Sequence, residues 1–162
     1  MYRLDQSVTW ASPHTFEEDM AFVDKTGKRR LEITRDGRMT VLASYAWDGC
    51  TPKFCVLDVV IGVADGVVDS RTGRPKTYYA SLIHDALYQY LDDGLPLTRH
   101  EADRCFLLLM NRTEFFWRYL YFVAVRLFGS LFRRVAELKR KRRGTRTPLG
   151  ISLAGGAQIL VP

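Results

Sequence analysis

Thr77-Tyr78-Tyr79-Ala80-Ser81-Leu82-Ile83-His84-Asp85-Ala86-Leu87-Tyr88-Gln89-Tyr90-Leu91 decides how the C-terminal half of this chain folds. Tyr79, Leu82, Ile83, Ala86, Leu87 and Tyr90 recur at helical spacing and form an apolar stripe. Ser81, His84, Asp85 and Tyr88 are left on another side. The spacing predicts a helix over 77–91, stopped by Asp92-Asp93-Gly94 and Pro96. Thr98-Arg99-His100-Glu101 then spells a capping box: the threonine accepts an amide hydrogen bond while the glutamate reaches back. A second helix is predicted from there to Asn111, burying Ala102, Cys105, Phe106, Leu109 and Met110. The short connection between the two favours antiparallel neighbours.

On such a pair the polar residues acquire a geometry. His84 and Tyr88 are four apart and project from one face, and Asp85 sits about 100° round from His84. With the second helix folded back, Asp103 comes within reach of the imidazole. This is the arrangement of a water-activating site, with a histidine as base, one carboxylate to orient it and another free to hold a cation. Ser81 lies one turn before Asp85, but no Gly-x-Ser-x-Gly elbow surrounds it, so it is not read as a nucleophile.

The residues carrying this pattern resemble two known families. His84-Asp85-x-x-Tyr88, Asp103-x-x-Phe106 and Ala124-Val125-Arg126-Leu127-Phe128-Gly129 are similar to the catalytic helix pair of phospholipase A2, especially its bacterial form, over residues 80–129. Over roughly residues 30–130 the chain resembles the phage and prophage family filed as domain of unknown function 1353. That likeness rests on Trp47-Asp48-Gly49-Cys50-Thr51-Pro52, Ala64-Asp65-Gly66, Ala80 to Asp85, and the helix bearing Asp103. The phospholipase resemblance implies that His84 deprotonates water, Asp103 orients it, Tyr88 hydrogen-bonds Asp103, and Asp85 ligates calcium. The glycine- and cysteine-rich calcium loop of that family has no recognisable copy here, and the residue before the tyrosine is Leu87 instead of cysteine. The phage-family resemblance implies a phage or prophage protein in which Trp47, Asp48, Gly49, Asp65 and Gly66 form loops near the site.

Outward from the helices, the N-terminal part reads as a small antiparallel sheet. Residues 1–30 are polar and mixed, with a strand expected near Met20-Ala21-Phe22-Val23 before the turn Asp24 to Lys28. Leu31 to Thr34 and Met39 to Ala43 flank Asp36-Gly37, and Asp-Gly between alternating apolar positions favours a tight primed turn. Val56 to Val68 holds apolar β-branched runs broken by Gly62, Asp65 and Gly66. The fold expected is α+β: an N-terminal antiparallel sheet, a C-terminal antiparallel helical hairpin and a long third helix from near Thr113 to Arg142. One domain is expected over 1–143, β-rich over 1–70 and helical over 77–143, with a tail over 144–162 that adds a strand, packs on a neighbouring chain or stays disordered.

The third helix carries Phe115-Phe116-Trp117-Arg118-Tyr119-Leu120-Tyr121-Phe122-Val123-Ala124-Val125. Arg118 and Arg126 argue against a membrane span, which needs about 20 apolar residues. Two readings remain: a core helix whose arginines snorkel, or an interfacial helix, aromatic on one side and basic at its end. The basic end is pronounced. Arg133, Arg134, Lys139, Arg140, Lys141, Arg142, Arg143 and Arg146 against Glu137 give +7 in a chain of net +6, so the remainder sums to −1. Such a block suits anionic lipid, nucleic acid or an acidic protein surface, and equally a solvated helix end. An anionic phospholipid surface or a phage or host protein is the expected partner, and nucleic acid, for which no base-reading motif is seen, ranks below them.

At 162 residues, 47% hydrophobic and 26% charged, the chain suits a single soluble core. The three cysteines, Cys50, Cys55 and Cys105, cannot all pair, and Met1-Tyr2-Arg3-Leu4-Asp5 opens no apolar signal run. Synthesis in a reducing cytoplasm is expected, with the product virion-associated or peripheral to a membrane. Two function classes follow. One is a phage or prophage hydrolase acting on a phospholipid or other ester, with calcium as the candidate cofactor. The other is a non-enzymatic virion-assembly or host-interaction protein that keeps His84, Asp103 and Tyr88 as a structural lock.

Overall fold

A computed structural model describes residues 2–47, 49, 54–56, 59–61, 67–123, 125–126 and 158–160. The fold is α+β, as expected. Among the described residues eight strands precede the helices: β1 Tyr2–Arg3, β2 Ser7–Ala11, β3 Met20–Val23, β4 Arg29–Ile33, β5 Arg38–Val41, β6 Ala46–Trp47, β7 Phe54–Val56 and β8 Val59–Ile61. α1 Tyr78–Tyr90 and α2 Arg99–Arg112 follow, then a third helix over 118–123 and 125–126, and last β9 Gln158–Leu160.

The main sheet has the order β3-β4-β5-β2-β9, with β1-β6 and β7-β8 as separate two-stranded pairs. The first three junctions are antiparallel, while β9 runs parallel to β2 with Val8 opposite Ile159. Part of the C-terminal segment therefore adds a strand, one of the outcomes its sequence left open. β2, in a segment read only as polar and mixed, sits inside the sheet, and its Thr9 is buried through a 2.9 Å hydrogen bond to Thr40 on β5.

The expected primed turn at Asp36-Gly37 is instead a three-residue loop. Thr34 N–H donates to Arg38 O, Gly37 N–H donates to Thr34 O, and Gly37 takes φ +84° while Asp36 keeps negative φ. A two-residue type I′ turn needs positive φ at both central residues, whereas one left-handed glycine closing a type I turn gives the bulged loop seen here.

Both hairpin helices lie where periodicity placed them. The Thr98 side chain accepts from Glu101 N–H and Glu101 reaches back to the Thr98 backbone, so the capping box forms at the start of α2. Gly94, at φ +91°, turns the chain after α1. One core cluster joins the sheet, through Trp10, Phe22, Leu31, Ile33, Met39 and Val41, to the apolar faces of α1 and α2. Phe22 and Tyr90 meet with ring centroids 5.1 Å apart.

The third helix starts at 118, later than the expected Thr113. Residues 113–117 form a turn in which Glu114 takes φ +49° and Phe115 is driven into the core. Phe116 at 78% and Trp117 at 54% exposure stand in this turn, and Tyr119, Leu120 and Val123 on the helix that follows are also exposed. Among the described residues no helix is long and apolar enough to cross a membrane. Arg133, Arg134, Lys139, Arg140, Lys141, Arg142 and Arg143 lie outside the described residues, as does the expected end of this helix.

Candidate active site

α1 and α2 pack antiparallel, because their contacts run in opposite order: His84 meets Asp103 and Phe106, while Tyr88, one turn later, meets Arg99 and Asp103. His84 Nε2 lies 3.0 Å from Asp103 Oδ1. The Tyr88 hydroxyl donates to the same oxygen at 2.5 Å, and its ring centroid is 4.1 Å from that of His84. Three residues expected to form a site from spacing alone are thus brought together.

Hydrogen-bond directions in this network are fixed by which groups own protons. Arg99 Nε donates to the Tyr88 hydroxyl oxygen at 2.8 Å, and a guanidinium can only donate. The single Tyr88 proton therefore goes to Asp103. An ionised carboxylate can only accept, so the neutral His84 ring must carry its hydrogen on Nε2. That leaves Nδ1 with a free lone pair, and among the described residues nothing bonds to it. The ring keeps 15% of its side-chain surface exposed, whereas Asp103 has none.

Electrostatics hold the carboxylate ionised. Burial pushes the Asp103 carboxyl up, but hydrogen bonds from His84 and Tyr88, with the charge of Arg99, outweigh it and hold the group below the usual carboxylate range. Arg126 adds a more distant cation, its Nη1 at 3.5 Å from Asp103 Oδ2. Burial and the bond to Asp103 push the Tyr88 phenol well above its ordinary value against the pull of Arg99, so Tyr88 stays a donor. Cys105, two residues after Asp103 on α2, is a buried thiol pushed by burial up to about 12, which makes it a packing residue and no nucleophile.

Other expected residues fall differently. Ser81 is buried, donating to Tyr78 O at 3.0 Å and accepting from Trp47 Nε1 at 3.2 Å, which is a structural role. Trp47 thereby ties the end of β6 to α1 three residues before His84. Gly49 has φ +77°, while Asp48, Asp65 and Gly66 lie outside the described residues. Asp85, the candidate calcium ligand, is exposed and accepts the Tyr45 hydroxyl on Oδ2 at 2.7 Å. Calcium takes about six to eight oxygens. Among the described residues no group of three or more His, Cys, Asp or Glu side chains stands ready to hold a metal.

Two residues of the network carried no assigned role in the sequence reading. Arg99 precedes Asp103 by four on α2, a spacing that signals a charge pair on one helix face. Tyr45 stands in the loop between β5 and β6, and no local pattern announced it. Comparison with protein-family models, curated proteins and solved structures finds nothing that matches this chain.

Proposed function

We propose that the chain is a phage or prophage hydrolase in which His84 activates water against a carboxylic ester, with a phospholipid as the substrate class. The observation supporting this is the His84 ring, fixed through Nε2 on a wholly buried carboxylate while Nδ1 has no bond among the described residues and the ring retains exposure. In this reading Nδ1 takes a proton from water as the water oxygen attacks the ester carbonyl carbon. Asp103 holds the imidazolium that forms, and Tyr88 holds Asp103. The Nδ1 proton then passes to the departing alkoxide as its bond to the acyl carbon breaks, giving a free acid and an alcohol. Phe116, Trp117, Tyr119, Leu120 and Val123 form the side that meets lipid, and the basic segment Arg133–Arg143 supplies attraction to anionic headgroups.

The second reading, a virion-assembly or host-interaction protein, is favoured by the complete burial of Asp103 and the satisfaction of Tyr88 by two partners. A buried network of that kind is also a means of locking a core. Release of fatty acid from vesicles of mixed anionic and zwitterionic phospholipid, with calcium and with a chelator, separates the two. The hydrolase reading expects wild-type release that His84→Ala lowers by about 10²–10⁴-fold with the fold retained. No release from wild type, together with a destabilised His84→Ala, establishes the lock.

A further inference from the structure

Arg99 is bonded in two directions. Its Nε donates to Tyr88, and its Nη2 donates to the backbone carbonyls of Val125 at 3.3 Å and Arg126 at 3.1 Å. The first bond commits the Tyr88 proton to Asp103, as argued above. The second attaches the same planar guanidinium to the third helix, which has its own seat on the core through Phe115 and Tyr121, with ring centroids 5.3 Å apart. A guanidinium presents its donors in a rigid fork, so a shift of the two carbonyls tilts or releases Nε as well. Without the Arg99 donor, Tyr88 is free to turn its proton elsewhere and accept instead, and Asp103 Oδ1 loses one of its two close donors.

We infer that Arg99 is a positioning residue through which the seating of the third helix sets the orientation of His84 and the strength of its bond to Asp103. The inference deepens the proposed water activation and, for its effect on turnover, rests on it. The bond directions themselves do not. The helix that carries the exposed aromatic face is the one whose carbonyls Arg99 holds, so contact of that face with a surface is transmitted to the base without any residue of the face touching substrate.

The test uses full-length protein labelled with ¹⁵N and reads the His84 ring nitrogens by long-range proton–nitrogen correlation, beside steady-state ester hydrolysis. Wild type should show the neutral ring protonated on Nε2. Arg99→Gln should shift the His84 Nε2–H signal, because Asp103 Oδ1 is then left to His84, and lower kcat by about tenfold with KM little changed, a small part of the 10²–10⁴ of a whole general base. Tyr121→Ala, which loosens the third helix away from the site, should move the His84 signals in the same direction in wild type and have no further effect beside Arg99→Gln. If Arg99→Gln does not fold, Arg99→Lys replaces it. Lysine still donates to Tyr88 but cannot also span the two carbonyls, so the His84 signals should stay near their wild-type positions and Tyr121→Ala should lose its effect.

Unchanged His84 signals in folded Arg99→Gln overturn the inference. So does a Tyr121→Ala effect of equal size with and without Arg99. Expected ring signals with no ester hydrolysis by any form leave the positioning role standing and remove the hydrolase reading instead.

Discussion

Replacing Asp103 by asparagine keeps the shape of the side chain and removes its charge, which isolates what the buried carboxylate contributes. Two close bonds are affected, from His84 at 3.0 Å and Tyr88 at 2.5 Å. A hydrogen bond to a charged group contributes about 1.5–3 kcal/mol and a neutral one about 0.5–1.5 kcal/mol, so the change costs roughly 1 kcal/mol per bond and about 2 kcal/mol in all. Asp103 is fully buried, so solvent screening does not discount this figure. The third contact, with half-exposed Arg126 at 3.5 Å, adds little. With a urea slope of about 2 kcal/mol/M, the unfolding midpoint of Asp103→Asn should fall by about 1 M at pH 7. The pH dependence has a definite sign. The native pKa of Asp103 is held below its ordinary value of about 3.9, so the charge stabilises fully above that value and its contribution disappears as pH falls through the native pKa. The gap between wild type and Asp103→Asn should therefore be widest at neutral pH and close in acid. Equal midpoints at pH 7, or a gap that widens on acidification, would refute the assignment of an ionised, hydrogen-bonded carboxylate.

Two further perturbations test the frame and the exposed face. A Cβ at Gly37 would lie 1.9 Å from the His14 carbonyl oxygen in a left-handed backbone, whereas one at Gly27, also left-handed, meets nothing within 4 Å. Gly27→Ala should cost only the conformational penalty of about 1–2 kcal/mol, and Gly37→Ala clearly more, read as a larger drop in Tm; equal drops contradict the close approach. Phe116→Ser with Trp117→Ser should leave Tm nearly unchanged, because both rings stand in solvent, while lowering partition onto anionic vesicles by at least about tenfold. Unchanged partition eliminates the lipid-facing role of the exposed aromatic segment that leads into the third helix.

The helical hairpin was legible because each of its signals is local. The apolar stripe of α1, the capping box of α2 and the four-residue step from His84 to Tyr88 each lie within a single helix, and together they left Asp103 little choice of position. What escaped notice depends on pairing across distance. Ser7-Val8-Thr9-Trp10-Ala11 is short and carries polar residues at positions 7 and 9, and the burial of Thr9 depends on a bond to Thr40 on another strand. Asp36-Gly37 is compatible with two turn types, and the choice was made by the register that sets Ile33 opposite Met39. The apolar run after Thr113 contains no glycine or proline to mark the turn that Phe115 makes into the core. Arg99 was visible as the neighbour of a cap, but its second bond goes to carbonyls more than twenty residues away.

Those long-range bonds explain why the site faces α2 and not the sheet. α1 is held from the sheet side at two positions four residues apart, Ser81 by Trp47 and Asp85 by Tyr45. Positions 81 and 85 define one edge of the helix, and 84 and 88 the adjacent edge, so fixing the first pair fixes the roll at which His84 and Tyr88 emerge. A roll of one residue step, about 100°, would break both sheet-side bonds and carry the imidazole away from Asp103. It would also leave a buried carboxylate short of donors, a cost of about 1–3 kcal/mol or more for a charged group. Asp85, which the phospholipase resemblance would assign to calcium, thus has a structural task in the described fold: with Tyr45 it sets the rotation of the helix that carries the base. Loss of the Tyr45 hydroxyl should therefore be felt at His84, although the two side chains share no contact among those described.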